Sequence, residues 1–305
     1  MLTFTLRRVL VALAVAFTVS VASFLLLHLS GDLATAIAGP ESTGPQIEAI
    51  RREYGLDQPL VTQFLTWAWR ALHLDFGNSF YFRERVIDLL AARLPITLYL
   101  GFIALGVALF VAVPLGVIAA VRRDTWIDRL ALSVSVLGQA MPSFWFGLTL
   151  ILIFSVNLRW LPVSGNATWK NFILPAVALG YYAMPAVMRL TRNGMLEVLA
   201  SDYVRTARAK GLPPRKILVR HALRNAVIPV IALSAVQFGF MLGGSIAIEA
   251  VFSLQGLGQL AWESIARNDF PVVQAIVLVL AMIYIGLTLA ADLLNAFLDP
   301  RLRQA

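Results

Sequence analysis

The fold class predicted for this chain is an all-α integral membrane protein of about six transmembrane helices, with a small lobe after the first. Three observations predict it. Of 305 residues, 59% are hydrophobic and 14% charged, and the mean hydropathy is +0.77, whereas a soluble domain carries roughly 25% charged residues. Six stretches reach or approach the roughly 20 apolar residues that a bilayer-crossing helix needs. The net charge of +8 gathers in segments between apolar stretches. That is the cytoplasmic pattern of a membrane protein, not the basic face of a nucleic-acid binder.

Span one is Val9–Leu29, uncharged and preceded by Arg7-Arg8. Its core of 21 residues exceeds the roughly 7–15 of a signal-peptide core, so it is expected to be retained. Span two is 96–121, span three 130–158, span five 226–248 and span six 271–291. Span four, 172–188, is short, and Pro175 and Pro185 make it irregular. It can cross lipid only if neighbouring helices shelter it.

If 1–8, 122–129, 189–225 and 292–305 face the cytoplasm, they hold 16 of the 25 Lys/Arg. Both termini are then inside, and loop 30–95 lies outside. That loop is rich in aromatics (Phe64, Trp67, Trp69, Phe76, Phe80, Tyr81, Phe82) and has a helix-like stretch, Pro45–Tyr54, stopped by Gly55. It is expected to be a packed lobe that either caps the bundle or touches a delivering partner or the substrate. The core runs over 96–295, carries the cytoplasmic loop 189–225, and is followed by a tail, 296–305.

Several chemistries are absent from the sequence. There is no cysteine, hence no disulfide, thiolate or zinc–sulfur site. No G-x-x-x-x-G-K-[ST] loop and no H-E-x-x-H occurs. His28, His73 and His221 are scattered, and Ser143 and Ser245 have no His/Asp partner nearby in sequence. No catalytic residue and no metal ligand is assigned. The six spans lack ionisable residues except His28 at a span end; Glu249 and Asp292 fall just past span ends. An ion-coupled transporter usually needs such groups inside the membrane, so the energy is expected to come from a partner.

Residues 202–229 are the most informative stretch. Between Arg189 and Arg224 stand nine Lys/Arg. The segment reads as two short helices hinged at Gly211-Leu212-Pro213-Pro214. Ser201-Asp202 is an internal cap of the first, Gly211 suits the left-handed residue that ends it, and Pro214 suits the first turn of the next. The second helix places Ile217, Leu218, His221 and Ala222 on one stripe and arginines on the other, an amphipathic design for a membrane surface or a partner's groove.

This segment resembles the cytoplasmic coupling loop of permease subunits of ATP-binding-cassette importers, most closely the peptide/nickel branch, in the first-subunit type of dipeptide and oligopeptide permeases. Of the general pattern E-A-A, three residues, G, nine residues, I-x-L-P, only Ala207, Gly211 and Leu223 match. The branch's own DYxRTARAKG string fits Asp202–Gly211 throughout. Other strings typical of the branch are Gly55–Leu60, Asp75-Phe76-Gly77, Arg93–Thr97, Arg220–Pro229, Gln237-Phe238-Gly239, Leu242–Ser245, Val251-Phe252, Gly256-Leu257-Gly258 and Asp299-Pro300-Arg301. The chain departs from it at Gly31-Asp32-Leu33, where the branch often has GDP, and at Leu254–Gly258, where it often has W-P-G-L-G.

The resemblance implies a type I importer permease of the bacterial inner membrane. It pairs with a homologous second permease above two ATPase subunits that bind ATP and Mg, and an extracytoplasmic binding protein delivers cargo. The coupling residues it implies are Asp202, Tyr203, Arg205, Thr206, Ala207, Arg208, Ala209, Lys210 and Gly211. Peptides are the favoured cargo, with nickel, glutathione, opines or another small solute as the alternative. Gln139, Met141 and Ser143 in span three, and Gln237, Met241 and Ser245 in span five, either pack helices closely or line the path.

Overall fold

The computed structural model describes residues 2–29, 32–39 and 42–298. Gly31 and the Asp299-Pro300-Arg301 string lie outside the described residues, as does the side chain of Gln139. Helix α1 (Leu2–Leu29) leads to a lobe of α2 (Leu33–Ala38), α3 (Gly44–Glu53) and α4 (Leu60–Leu72). Then come α5 (Val86–Val121), α6 (Trp126–Ala140) and α7 (Ser143–Leu150), which widens into a π-helical turn over Ile151–Asn157. Helix α8 (Ile173–Leu199) precedes an elbow made of α9 (Asp202–Ala209), α10 (Pro214–Lys216), a π-helical turn (Ile217–Leu223) and α11 (Arg224–Ala226). The chain returns through α12 (Ile228–Phe252), the short α13 (Leu257–Ala266) and α14 (Phe270–Leu298).

Small residues set the central contact. Ala104, Ala108, Ala112, Gly116 and Ala120 recur at every fourth position of α5 and are all buried. They face Ala176, Gly180, Ala183, Val187 and Thr191 of α8, also buried. A Cβ on Gly180 would collide with the carbonyl oxygen of Ala104, and one on Gly116 would sit 2.7 Å from that of Met188. The backbones therefore touch, the usual way for helices to pack where lipid removes the hydrophobic drive. Around this seam Leu100, Leu150, Leu174, Leu179, Met241, Ile248 and Phe252 form the main core.

Helix α1 lies at the margin, where Arg8 pairs with Asp292 of α14 at 3.0 Å. Its other end meets the lobe. Phe24 stacks edge-on against Phe64 at 5.4 Å, and the ring nitrogens of His28 lie 2.9 Å from the Phe24 carbonyl and 3.0 Å from Gln63 Oε1. Within the lobe, Thr43 and Gln46 form a reciprocal capping box for α3.

Among the described residues, five helices are long and apolar enough to cross a membrane, and Ser143–Asn157 is a shorter apolar helix. Their limits correct the sequence reading at spans two to six. Span two starts at Val86, not 96, because Val86, Leu89 and Leu90 pack against α13 and α14; Asp88 and Arg93 had cut the apolar window short. Span three, 130–158, is broken: Met141 is extended (φ −91°, ψ 130°), as a residue before proline is driven to be. Span four, 172–188, runs on to Leu199 as one 27-residue helix, so the first part of segment 189–225 is helix rather than loop. Spans five and six extend to Phe252 and Leu298, which places Glu249 and Asp292 inside helices.

Replacing Gly180 with Ala should destabilise the protein by about 1–3 kcal/mol through overpacking against Ala104. A lowered midpoint in denaturant unfolding of the detergent-solubilised protein would show it. Gly106→Ala is the control, since nothing lies within 4 Å of a Cβ there.

Candidate functional site

The elbow is a small folded unit. Helix α8 ends at Leu199, and Ser201 (φ −70°, ψ 153°) starts α9. Helix α9 closes with both bonds of a Schellman cap: Gly211 N–H donates to the Arg208 carbonyl at 2.9 Å, and Leu212 N–H to that of Ala207 at 3.3 Å. Gly211 supplies the required positive φ of 73°. Pro213 is extended and Pro214 opens the next helix. Val204, Ala207 and Ile217 then bury against Val198, Leu199 and Leu212, giving the elbow its own core. Asn225 Nδ2 donates to the Tyr203 hydroxyl at 2.8 Å, tying α9 to the returning helix.

Among the sequence-predicted coupling residues, Ala207 alone is buried. Asp202, Tyr203, Arg205, Thr206, Arg208, Ala209, Lys210 and Gly211 are exposed. Asp202 and Arg205 pair at 3.3 Å in open solvent, where such a pair adds little stability. The exposed face is thus polar, mostly cationic and backed by a rigid core.

An ion pair between a buried carboxylate and a half-buried guanidinium ties the arm above the elbow to the bundle. Arg192 of α8 donates from Nε and Nη2 to the two Asp128 oxygens, both at 2.7 Å, a bidentate geometry suited to guanidinium and carboxylate. Asp124 N–H also donates to Asp128 at 3.1 Å. Asp128 precedes the apolar stretch of α6, and its hydrogen bonds from Arg192 hold its carboxyl below the usual carboxylate range.

The sequence reading missed Glu249 as an internal group. It is fully buried in α12. It accepts from Thr97 Oγ1 of α5 at 2.8 Å, and from the N–H groups of Gly258 and Gln259 at 2.7 and 3.1 Å. Thr97 Oγ1 in turn accepts from Leu257 N–H at 2.7 Å. The first-turn donors of α13, which have no partner inside their helix, are met by a carboxylate that the helix dipole also favours. The Gly256-Leu257-Gly258 string follows from this: a Cβ at Gly256 would strike Glu249, and one at Gly258 would lie 2.6 Å from Ile246 Cα. At its far end, α13 leads into Asp269, which accepts from Ser79 Oγ and from Phe80 N–H (3.1 Å). One signal was available, an acid shortly ahead of Gly-Leu-Gly. For Asp128 and Arg192, 64 residues apart, there was none.

The pathway candidates divide. Met141 and Ser143 are half-buried at the α6–α7 break. Gln237, Met241 and Ser245 share one buried face of α12, and Ser245 Oγ donates to the Leu242 carbonyl at 2.9 Å. The open face of that helix carries Phe240, Gly243 and Gly244. Among the described residues, no cluster of three His, Cys, Asp or Glu could hold a metal ion.

Two tests follow. Glu249→Ala strands two helix donors and should cost about 1–3 kcal/mol, with Glu249→Gln milder because it keeps one acceptor; unfolding midpoints decide it. Asp128 has a depressed pKa in the folded state, so its contribution is complete above the unfolded carboxylate pKa of about 4 and is lost as pH falls through the folded value. An acid-unfolding series should show that loss in the parent protein. Asp128→Asn should be less stable at neutral pH and lack this part of the acid dependence.

Comparisons with known proteins agree with this architecture. The model of the family "Binding-protein-dependent transport system inner membrane component" matches residues 112–304, and that family's N-terminal model matches residues 1–101. The glutathione transport system permease protein GsiC of Escherichia coli (strain K12) is 42% identical over 304 residues, covering 99% of each chain. Its counterpart in Shigella flexneri serotype 5b (strain 8401) is similar to the same extent. Among solved structures, the inward-facing MetNI methionine ABC transporter matches with a TM-score of 0.60 at 20% identity, over 70% of this chain and 97% of that one. A second crystal form matches with a TM-score of 0.58; both speak to the fold. This chain belongs to the inner-membrane permeases of binding-protein-dependent ABC importers.

Proposed function

We propose that this permease forms half of the pathway for dipeptides and oligopeptides. It works with a homologous second permease, two ATPase subunits that bind ATP and Mg, and an extracytoplasmic binding protein. Both termini and the elbow face the cytoplasm, and the lobe faces out. The division into helix 1–29, lobe 30–95, core 96–295, coupling loop 189–225 and tail 296–305 belongs to this reading, with the helix limits as corrected above. One observation carries it: a rigid elbow with its own core turns a basic face outward at the end of α8.

In this mechanism Asp202, Tyr203, Arg205, Thr206, Arg208, Ala209 and Lys210 seat in a groove of one ATPase, while Ala207 and Gly211 keep the elbow's shape. Closure of the ATPases around ATP moves the elbow, and α8 carries that motion into the bundle through Arg192–Asp128 and the α5 seam. The pathway is assigned to the α6–α7 break, where Gln139, Met141 and Ser143 fall, and to α12. Gln237, Met241 and Ser245 reach it as α12 parts from its neighbours. The 42% identity to a glutathione permease favours one alternative cargo, glutathione, which is itself a peptide.

The test is to purify the chain with its co-expressed partners and measure ATP hydrolysis with receptor loaded by dipeptides, oligopeptides or glutathione. We expect a second permease and ATPases to co-purify, and loaded receptor to stimulate hydrolysis. Gly211→Asp should leave ATP hydrolysis running while uptake falls, because a side chain at this φ strains the cap by on the order of 1 kcal/mol. Normal uptake by that variant would sink the coupling assignment.

A further inference from the structure

At the lobe end of the bundle, between α1, the lobe and the start of α14, lies a cavity of about 290 Å³. Its wall is aromatic, with Phe24, Trp67, Phe76 and Phe80. Two polar groups in it lack partners. Gln274 is 6% exposed, and its amide nitrogen has no hydrogen-bond partner. Arg70 stands on the exposed rim, and its guanidinium pairs with none of the described side chains.

We propose that this cavity is a phospholipid site. The acyl chain lies along the aromatic wall, an ester carbonyl accepts from Gln274, and the phosphate meets Arg70. Buried donors are normally satisfied, so the free amide implies an acceptor delivered from outside the chain. Position argues for lipid over cargo. The cavity is lined by α1, the lobe and α14, and no lining residue comes from α5, α7, α8 or α12, the helices of the core. Phe24 and His28, near the end of α1, line it, and the same helix leaves the apolar side chains Phe17 and Leu25 exposed. Trp67 and Tyr54 there suit the membrane–water boundary, where such aromatics gather. Asp75 also lines the cavity; it is occupied by the Gly77 N–H at 3.1 Å.

Trp67 is a reporter inside the site. The assembled transporter, stripped of lipid in detergent micelles, is titrated with phosphatidylglycerol brominated on the acyl chain near the ester. The difference between the parent and Trp67→Phe isolates the Trp67 signal. We expect strong quenching of that signal. In Gln274→Leu the half-quenching concentration of that lipid should rise roughly five-fold, the equivalent of one neutral hydrogen bond. Arg70→Gln, on the exposed rim, should weaken quenching by phosphatidylglycerol in the same direction and serves if the buried variant folds poorly. No quenching of Trp67, or quenching unchanged in both variants, overturns the proposal. Relief of quenching by soluble dipeptide or glutathione overturns it in favour of a cargo site.

Discussion

Contact between the backbones of α5 and α8 governs the rest of the architecture. Gly180 lies against the carbonyl of Ala104, and Gly116 against that of Met188. No larger residue at either place would leave the two helices where they are. Because lipid tails are as apolar as leucine, transmembrane helices gain little from merely hiding apolar surface and gain most from van der Waals closeness. The seam brings α5 and α8 together, and α7 and α12 fill the flanks with Leu150, Met241, Ile248 and Phe252. Since α8 also carries the elbow, this seam joins the elbow's arm directly to α5, a helix of 36 residues.

A second kind of fastening acts at the lobe end. Helix α13 is too short to be stable alone, yet it is held at both ends by buried carboxylates. Glu249 takes its first N–H groups, and Asp269, just past its last turn, takes the loop that begins α5. The apolar residues Leu257, Leu260 and Ala261 then pack on Val86 and Ile276. Polar bonds fix the direction of this helix, and apolar contact fixes its depth. A carboxylate inside a membrane helix ordinarily signals ion handling. Here its acceptor capacity is spent on backbone donors and a threonine, which fits an importer driven by partner ATPases rather than by an ion gradient.

Much of this was legible in the sequence, and the parts that were not share a physical cause. Hydropathy located the spans, since apolar length is a local property. The elbow was equally readable, because Gly211, Pro213 and Pro214 act on their own backbone. Misplaced limits arose wherever a charge ended an apolar window early, as at Asp88, Arg93, Arg189 and Glu249. Those charges are tolerated because they lie at helix ends or find partners in the folded chain. Partners such as Arg192 and Asp128, or Glu249 and Thr97, meet only after folding, and nothing local announces them. The break at Pro142 was readable from the rule for the residue before proline, but the apolar run on both sides masked it.

The Arg192–Asp128 pair has an electrical consequence. Moving one unit of charge across a membrane potential costs about 2.3 kcal/mol per 100 mV. The two groups are joined by paired hydrogen bonds of 2.7 Å, so α6 and α8 are fastened to each other through a neutral couple. The pair as a unit carries no net charge into the field. Within this pair, neither helix brings the other an unbalanced charge for a membrane potential to act on.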